Sequence, residues 1–502
     1  MSGERTERPN VVVLLMDCVR NSDFPPPPAE EGPAKGLESV LSQMVSYPRA
    51  ATVSPWTIPS HASLFTGLYP WVHGVHHKGR SRLPSSIPRI ASVLRAEGYE
   101  TLSLSGNAFL TPSSGLVDGF ETLGWCRWID PYVRVSRNRP PAYFGPCEEA
   151  ARREEEYRRS AFISSLKSFA ASGILEFPFV VDAVNRIIAR VENRNDGYRV
   201  SPWIEAAFEE WVASRPSAHP IFAFVNLVDA HDPYLTDPNL VRTISGWWKF
   251  AHVKQLPGDF YLNRWTPSRE ERNALHEMYV RGIRAACGRA LNLVSILKSK
   301  NRWENTLFII TSDHGNAFGE DGLFFHGLRV TEPVARIPLW IRFPFAERAG
   351  AVARGWASLI DIYPTALEET RCPVPSPTPG VNLRRLIDRP RSGPVLVASD
   401  GVQATIRKRN LVSDEVIRRL DRVWVAAYEE DRKVVFDAST GTLTSLVLDR
   451  AKSPSLDGWR SENGGVSDLA QTVRAVGRAM LATPEMPEDR STSDRLASWG
   501  YT

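Results

Sequence analysis

The stretch NVVVLLMDCVR, residues 10–20, decides the fold. Val11 to Met16 is an unbroken apolar run, and it stops at Asp17. Continuous rather than alternating hydrophobicity predicts a strand buried on both faces, as in a parallel sheet. The pattern recurs in PIFAFVNLVDAHDPY (220–234) and NTLFIITSDHG (305–315), which also end in polar clusters, and in IPLWIRFP (337–344). Between them, 89–107 reads as a helix, a glycine stop and a strand, and 274–300 has helical periodicity. Alternating strands and helices predict an α/β fold, an α/β/α sandwich with a mostly parallel central sheet. In such sheets ligands bind beyond the carboxyl ends of the strands. Asp17, Asp229, His231, Asp313 and His314 all fall at such ends.

The chain has 502 residues, enough for one large domain or two moderate ones. A net charge of +4 over this length does not describe a nucleic-acid binder. No apolar run reaches the length of a membrane span, and the apolar run after the charged N-terminus is too short for a signal-peptide core. Five scattered cysteines, Cys18, Cys126, Cys147, Cys287 and Cys372, with no CxxC pair, predict reduced thiols in a cytoplasmic protein.

The catalytic domain is expected over 1–385, with insertions at 127–200, expected to be mostly helical, and at 235–270. A Pro-rich linker (371–380) precedes a small C-terminal α+β subdomain over 386–483. There 422–449 reads as an antiparallel meander and 468–481 as a helix packed on it. Residues 484–502 form a polar tail.

Asp17, Asp313 and His314 make a hard oxygen–nitrogen ligand set suited to one divalent ion, Zn²⁺, Mn²⁺, Mg²⁺ or Ca²⁺. In SPWTIPSHASLFTGLYP (54–70), Thr57 reads by itself as a helix N-cap with Pro59 in the first turn.

In combination these motifs resemble the sulfatase-like branch of the alkaline phosphatase superfamily, in order along nearly the whole chain. NVVVLLMDCVR resembles its first metal-binding strand, TIPSHASLFTGLYP its nucleophile motif and NTLFIITSDHG its second metal-binding strand. GLFFHGLRVTEPVARIPLWIRFP resembles the next block, with His326 at its polar position. SLIDIYPTALEETRCPVP resembles the helix that follows, VVFDASTG a C-terminal strand and DRLASWGYT the family ending. The resemblance implies that Thr57 is the nucleophile and also a metal ligand. It implies catalytic roles for His231 and His326, and candidate substrate contacts at Ser60, His61, Asn107 and Arg20. For Arg20 a plain ion pair is the alternative. Asp229 or Asp232 would orient His231 or help hold a second ion. Cys18 is either a soft extra ligand or a small buried residue, the second being the commoner case.

The departures are as informative. Sulfatases need Cys or Ser, within Cys/Ser-x-Pro-x-Arg, for conversion to formylglycine. Thr57 cannot be converted, and His61 stands in place of the Arg. Cys18 replaces the second Asp of the first strand, and Asn107 falls where a sulfate-contacting Lys segment aligns. The resemblance therefore implies metal-dependent hydrolysis or transfer of a phosphoester through phospho-Thr57. The substrate would be a small-molecule, glycan-linked or lipid-linked anionic ester. The alternatives are a sulfatase working without formylglycine, and a catalytically silent relative that binds an anion or a partner.

Overall fold

The computed structural model describes, apart from a few isolated positions, residues 7–26, 33–125, 143–150, 202–232, 266–401, 420–448, 459–461 and 467–482. The polar tail and most of the two insertions lie outside the described residues, as does Cys126.

The central sheet has eight strands: β1 (Asn10–Met16), β2 (Val45–Ser46), β3 (Glu100–Ser105), β4 (Thr122–Trp125), β5 (Tyr143–Pro146), β6 (Ile221–Leu227), β7 (Thr306–Thr311) and β8 (Leu339–Arg342). Their spatial order is β2-β8-β7-β1-β6-β3-β4-β5. From β7 through β4 all neighbours are parallel, whereas β8 and β5 run antiparallel to the strands they flank. Strand β5 lies within the expected 127–200 insertion and pairs at one edge of the sheet; most of that segment, and so its expected helical character, lies outside the described residues.

Strand β1 shows why its sequence is continuous rather than alternating. All seven of its residues are buried. Val11, Val13 and Leu15 point into one apolar layer with Phe65, Leu94, Phe224 and Leu367. Val12, Leu14 and Met16 point into the other, against Phe208, Met278, Ile283 and Trp303. A strand alternates its side chains across the sheet, so two covered faces require apolar residues at every position. The layers are supplied chiefly by the helices Thr57–Thr66, Ile90–Ala96 and Ile362–Glu369 on one side, and Pro202–Ala213 and Arg269–Ser299 on the other. The long helix begins earlier than its periodicity suggested. Ser268 and Glu271 form a reciprocal capping box at its start.

Beyond the central sheet, β9 (Val395–Ser399), β10 (Trp424–Glu429), β11 (Arg432–Asp437), β12 (Thr442–Leu448) and β13 (Trp459–Ser461) form an antiparallel sheet in sequence order. The helix Ser467–Ala482 packs on it through Leu469, Val473 and Met480. Leu396, Val425 and Phe436 belong to the same apolar cluster as β1, so the C-terminal sheet shares the main core. Among the described residues, no helix is long and apolar enough to cross a membrane.

Candidate active site

Four adjacent parallel strands aim their carboxyl ends at one place. Asp17 follows β1, Asp313 and His314 follow β7, His231 lies just past β6 and Asn107 just past β3. Residues hundreds of positions apart meet because β7, β1, β6 and β3 are consecutive in the sheet.

The helix Thr57–Thr66 delivers the remaining group. Trp56 occupies the cap position and has no side-chain cap bond, so Thr57 is the first helical residue and not the N-cap. Its hydroxyl is thereby free of capping, and Oγ1 lies 3.3 Å from His314 Nε2. Every residue of this helix is buried. Phe65 packs edge-on against Phe224 at 4.8 Å, a contact that pins the helix to β6. The chain leaves the helix through Gly67 at φ 68°, where a Cβ would meet Tyr363 at 2.8 Å.

Two carboxylates form the floor. Asp17 and Asp313 are fully buried. Asp17 Oδ2 accepts from Asn107 Nδ2 at 2.7 Å. Asp313 Oδ1 accepts from the backbone N–H groups of Cys18 (3.2 Å) and His314 (2.9 Å). Its Oδ2 makes no hydrogen bond, and the groups of opposite charge near it are the imidazoles of His314 (3.4 Å) and His61 (3.7 Å). Burial pushes the Asp313 carboxyl above its ordinary range. Among the described residues no Lys or Arg forms an ion pair with either acid.

Burial favours neutral imidazoles at His314 and His326, whereas His231 is drawn toward its protonated form. His314 Nδ1–H donates to the Gly315 carbonyl at 2.9 Å, which leaves Nε2 unprotonated and facing Thr57. Burial lowers its pKa to about 4, against the pull of Asp17. Gly315 is required by crowding, since a Cβ there would lie 2.0 Å from the Pro333 carbonyl oxygen. His231 Nδ1–H donates to the Asp232 carbonyl at 2.6 Å, with the Asp232 carboxylate 3.3 Å away. Burial opposes a charge on His231, but Asp232 and Asp17 outweigh it and raise its pKa. His326 lies well below its ordinary value through burial and the neighbouring His314, His231 and His77. Its Nδ1 is 3.2 Å from Asn316 Oδ1.

The geometry decides between several sequence alternatives. Asp232 lies beside His231, whereas Asp229 pairs with Arg289 at 3.1 Å. The Arg20 guanidinium is bonded to Asp23, to Glu320 at 2.6 Å and to His276 at 2.8 Å, so the ion-pair reading replaces substrate contact. Ser60 Oγ donates to the Ser54 carbonyl at 2.7 Å and shapes the turn. His61 is wholly buried, donating from Nδ1 to the Thr57 carbonyl at 2.9 Å. Asn107 holds Asp17 in place. Ser60, His61 and Asn107 thus each make a positioning contact within the site. Beside the expected ligands, Cys18 joins two clusters: Asp17, Cys18 and His314 present ligand atoms within 4.8 Å of one another, as do Cys18, His231 and His326.

Other neighbours were not anticipated. Asp400, directly after β9, accepts from His76 Nδ1 at 2.5 Å and from the His77 backbone N–H at 3.2 Å. His77 stacks on Trp56 with ring centroids 3.8 Å apart. The C-terminal sheet therefore braces the segment beside Thr57. The paired histidines in WVHGVHHKG were a visible signal, but their partner in the next subdomain was not.

Residues 9–370 match the sulfatase family. The chain belongs to the sulfatase family. It is a sulfatase-like ester hydrolase on the alkaline-phosphatase-like fold. Among its relatives is the choline-sulfatase of Rhizobium meliloti (strain 1021), 24% identical over 416 residues, covering 78% of this chain and 74% of that protein. The arylsulfatase of Clostridium perfringens (strain 13 / Type A) is 22% identical over 400 residues, covering 77% and 79%. A similar fold is found in the phosphonate monoester hydrolase of Agrobacterium radiobacter, with TM-score 0.59 and 18% identity over 98% of this chain and 95% of that one.

Proposed function

We propose that this member of the sulfatase family hydrolyses or transfers a phosphorus ester, with Thr57 as the nucleophile and a divalent ion at Asp17, Asp313 and His314. The observation that carries the reading is the Thr57 hydroxyl 3.3 Å from His314 Nε2, beside a buried carboxylate oxygen that lacks a hydrogen bond. Two ligands about 2.0–2.1 Å from a tetrahedral ion are separated by about 3.3 Å. Thr57 Oγ1 and Asp313 Oδ2 stand 3.3 and 3.4 Å from His314 Nε2. Two buried acids that, among the described residues, pair with no Lys or Arg are also a costly arrangement unless a cation joins them. A divalent ion held there supplies Lewis-acid polarisation and makes a nearby hydroxyl easier to deprotonate.

The chain's own residues do the rest. Thr57 Oγ attacks phosphorus and its proton passes to solvent. A threonine–phosphate bond forms as the ester bond to the leaving oxygen breaks. His231, with its Nδ1–H held by the Asp232 carbonyl, turns Nε2 to the leaving oxygen and protonates it. Neutral His326 lies beside it, ring centroids 5.2 Å apart, and completes the pocket wall. Water, or an acceptor hydroxyl, then releases the phosphoryl group and regenerates Thr57. The fold shared with a phosphonate monoester hydrolase supports phosphorus chemistry. The sulfatase names of the curated relatives favour a second reading, sulfate ester hydrolysis without formylglycine.

The test is a panel of aryl phosphate monoesters, diesters, phosphonates and sulfates with several divalent ions. Thr57→Ala lowers turnover of the best substrate by several orders of magnitude with the fold intact, and Thr57→Ser retains measurable activity. Parent-like turnover by Thr57→Ala contradicts the reading.

A further inference from the structure

We propose that Cys18 is itself a ligand of the metal centre, and that its sulfur selects a thiophilic ion of the zinc type over calcium or magnesium. This rests on the metal reading above and adds to it the identity of the ion.

Consecutive residues of an extended strand point to opposite faces. Had β1 simply continued, Asp17 and Cys18 would diverge. Instead Cys18 adopts φ 65°, a left-handed conformation unusual for a residue with a side chain. The result is a thiol turned to the same side as the Asp17 carboxylate, with Sγ 3.3 Å from Oδ1. The turn is held by surrounding bonds. Cys18 N–H donates to Asp313, its carbonyl accepts from Tyr279 Oη at 3.0 Å, and Val19 N–H donates to Ser312 Oγ at 2.9 Å. Such conformations persist where the surroundings over-determine them, and they concentrate at functional sites.

The company of the sulfur argues against simple core filling. A buried cysteine that only packs is surrounded by apolar side chains, as Cys287 is in the apolar layer under the long helix. Cys18 Sγ instead has a carboxylate oxygen at 3.3 Å and His326 Nδ1 at 3.6 Å. Asp17, Cys18 and His314, all buried, bring their ligand atoms within 4.8 Å of one another. A thiolate with imidazole and carboxylate suits zinc-type ions, whereas calcium and magnesium take oxygen ligands. The thiol gives up its proton to solvent when it ligates.

The test loads metal-free protein with cobalt(II) as a spectroscopic stand-in for zinc. The parent gains a near-ultraviolet thiolate-to-cobalt band in proportion to bound cobalt. Cys18→Ser still binds cobalt but lacks the band. Its zinc affinity falls by at least about 100-fold, the upper end of what outer-shell changes cost, while calcium binding is little altered. X-ray absorption of the zinc-loaded parent, which needs no variant, shows one sulfur at about 2.3 Å. Metal bound with no thiolate band and no sulfur scatterer overturns the role of Cys18 and leaves the metal reading standing. Failure of the parent to bind cobalt or zinc overturns both.

Discussion

Two regions of this molecule bury carboxylates, and they treat them in opposite ways. At the seam between the central sheet and the C-terminal sheet, Glu332 is met by Lys433 Nζ at 2.5 Å and by Tyr428 Oη at 2.8 Å, with Arg336 Nη1 at 3.8 Å. At the strand ends, Asp17 and Asp313 are fully buried, more deeply than the part-buried Glu332, yet the charged partners of Asp313 are imidazoles. The seam carries its own lysine and arginine counter-charge, although Glu332 Oε2 also makes no hydrogen bond. The site holds negative charge in reserve. Burying a charge without compensation is expensive, and the cation proposed above would offset that cost at this cluster of ligand-type side chains.

The two regions should therefore fail differently. The largest effect is expected at the site. Asp313→Asn removes charge where none balances it, so the metal-free protein keeps its stability, while turnover falls by at least about 10²–10³-fold. Steady-state kinetics beside denaturant unfolding check both halves. At the seam, Lys433→Met removes the nearest counter-charge from the part-buried Glu332. Stability should drop by about 3–5 kcal/mol, measured by urea unfolding, with turnover per folded molecule unchanged.

Acid sharpens the contrast because the signs differ. Burial alone would raise the Glu332 pKa, but Lys433 and Arg336 outweigh it and hold it below 4.5. Its contribution to stability is present above that value and is lost as pH falls through its lowered value. Asp313 is raised above 3.8 by burial. In metal-free protein its protonated form favours folding below 3.8, and that contribution is lost as pH rises through the raised value. Unfolding across this acid range should show Glu332→Gln weakening the loss at low pH, and Asp313→Asn weakening the rise in stability that acid gives the metal-free protein. The smallest effect belongs to the half-exposed partner of Arg20. Glu320→Gln should change stability by less than about 1 kcal/mol and leave substrate affinity unaltered, as fits an Arg20 that serves an ion pair.

Much of this was legible in the sequence for physical reasons. The continuous run at Val11–Met16 reports a strand covered on both faces, and the polar residues after it and after Ile310 report the ends where sites form. Thr57, His231, Asp313 and His314 could be read because each sits at a strand end or helix start whose pattern is local. What escaped depends on conformation or on distant partners. The left-handed turn at Cys18 reverses a side-chain direction that alternation would predict, so the sequence left its sulfur open between a ligand and packing. The bond from His77 to Asp400 spans 323 positions and joins two sheets, with no local signature. Arg20 was open between an anion contact and an ion pair, because its partners Asp23, Glu320 and His276 include two that lie far away in sequence.

The central claim is that the buried acids of the site are balanced by a resident cation. Elemental analysis of the purified protein after gel filtration in metal-free buffer tests it most directly. The account predicts at least one tightly held divalent ion per chain, lost in Asp313→Asn, with activity that disappears on chelation and returns on adding the metal back. Full activity in protein shown to contain no metal would contradict it.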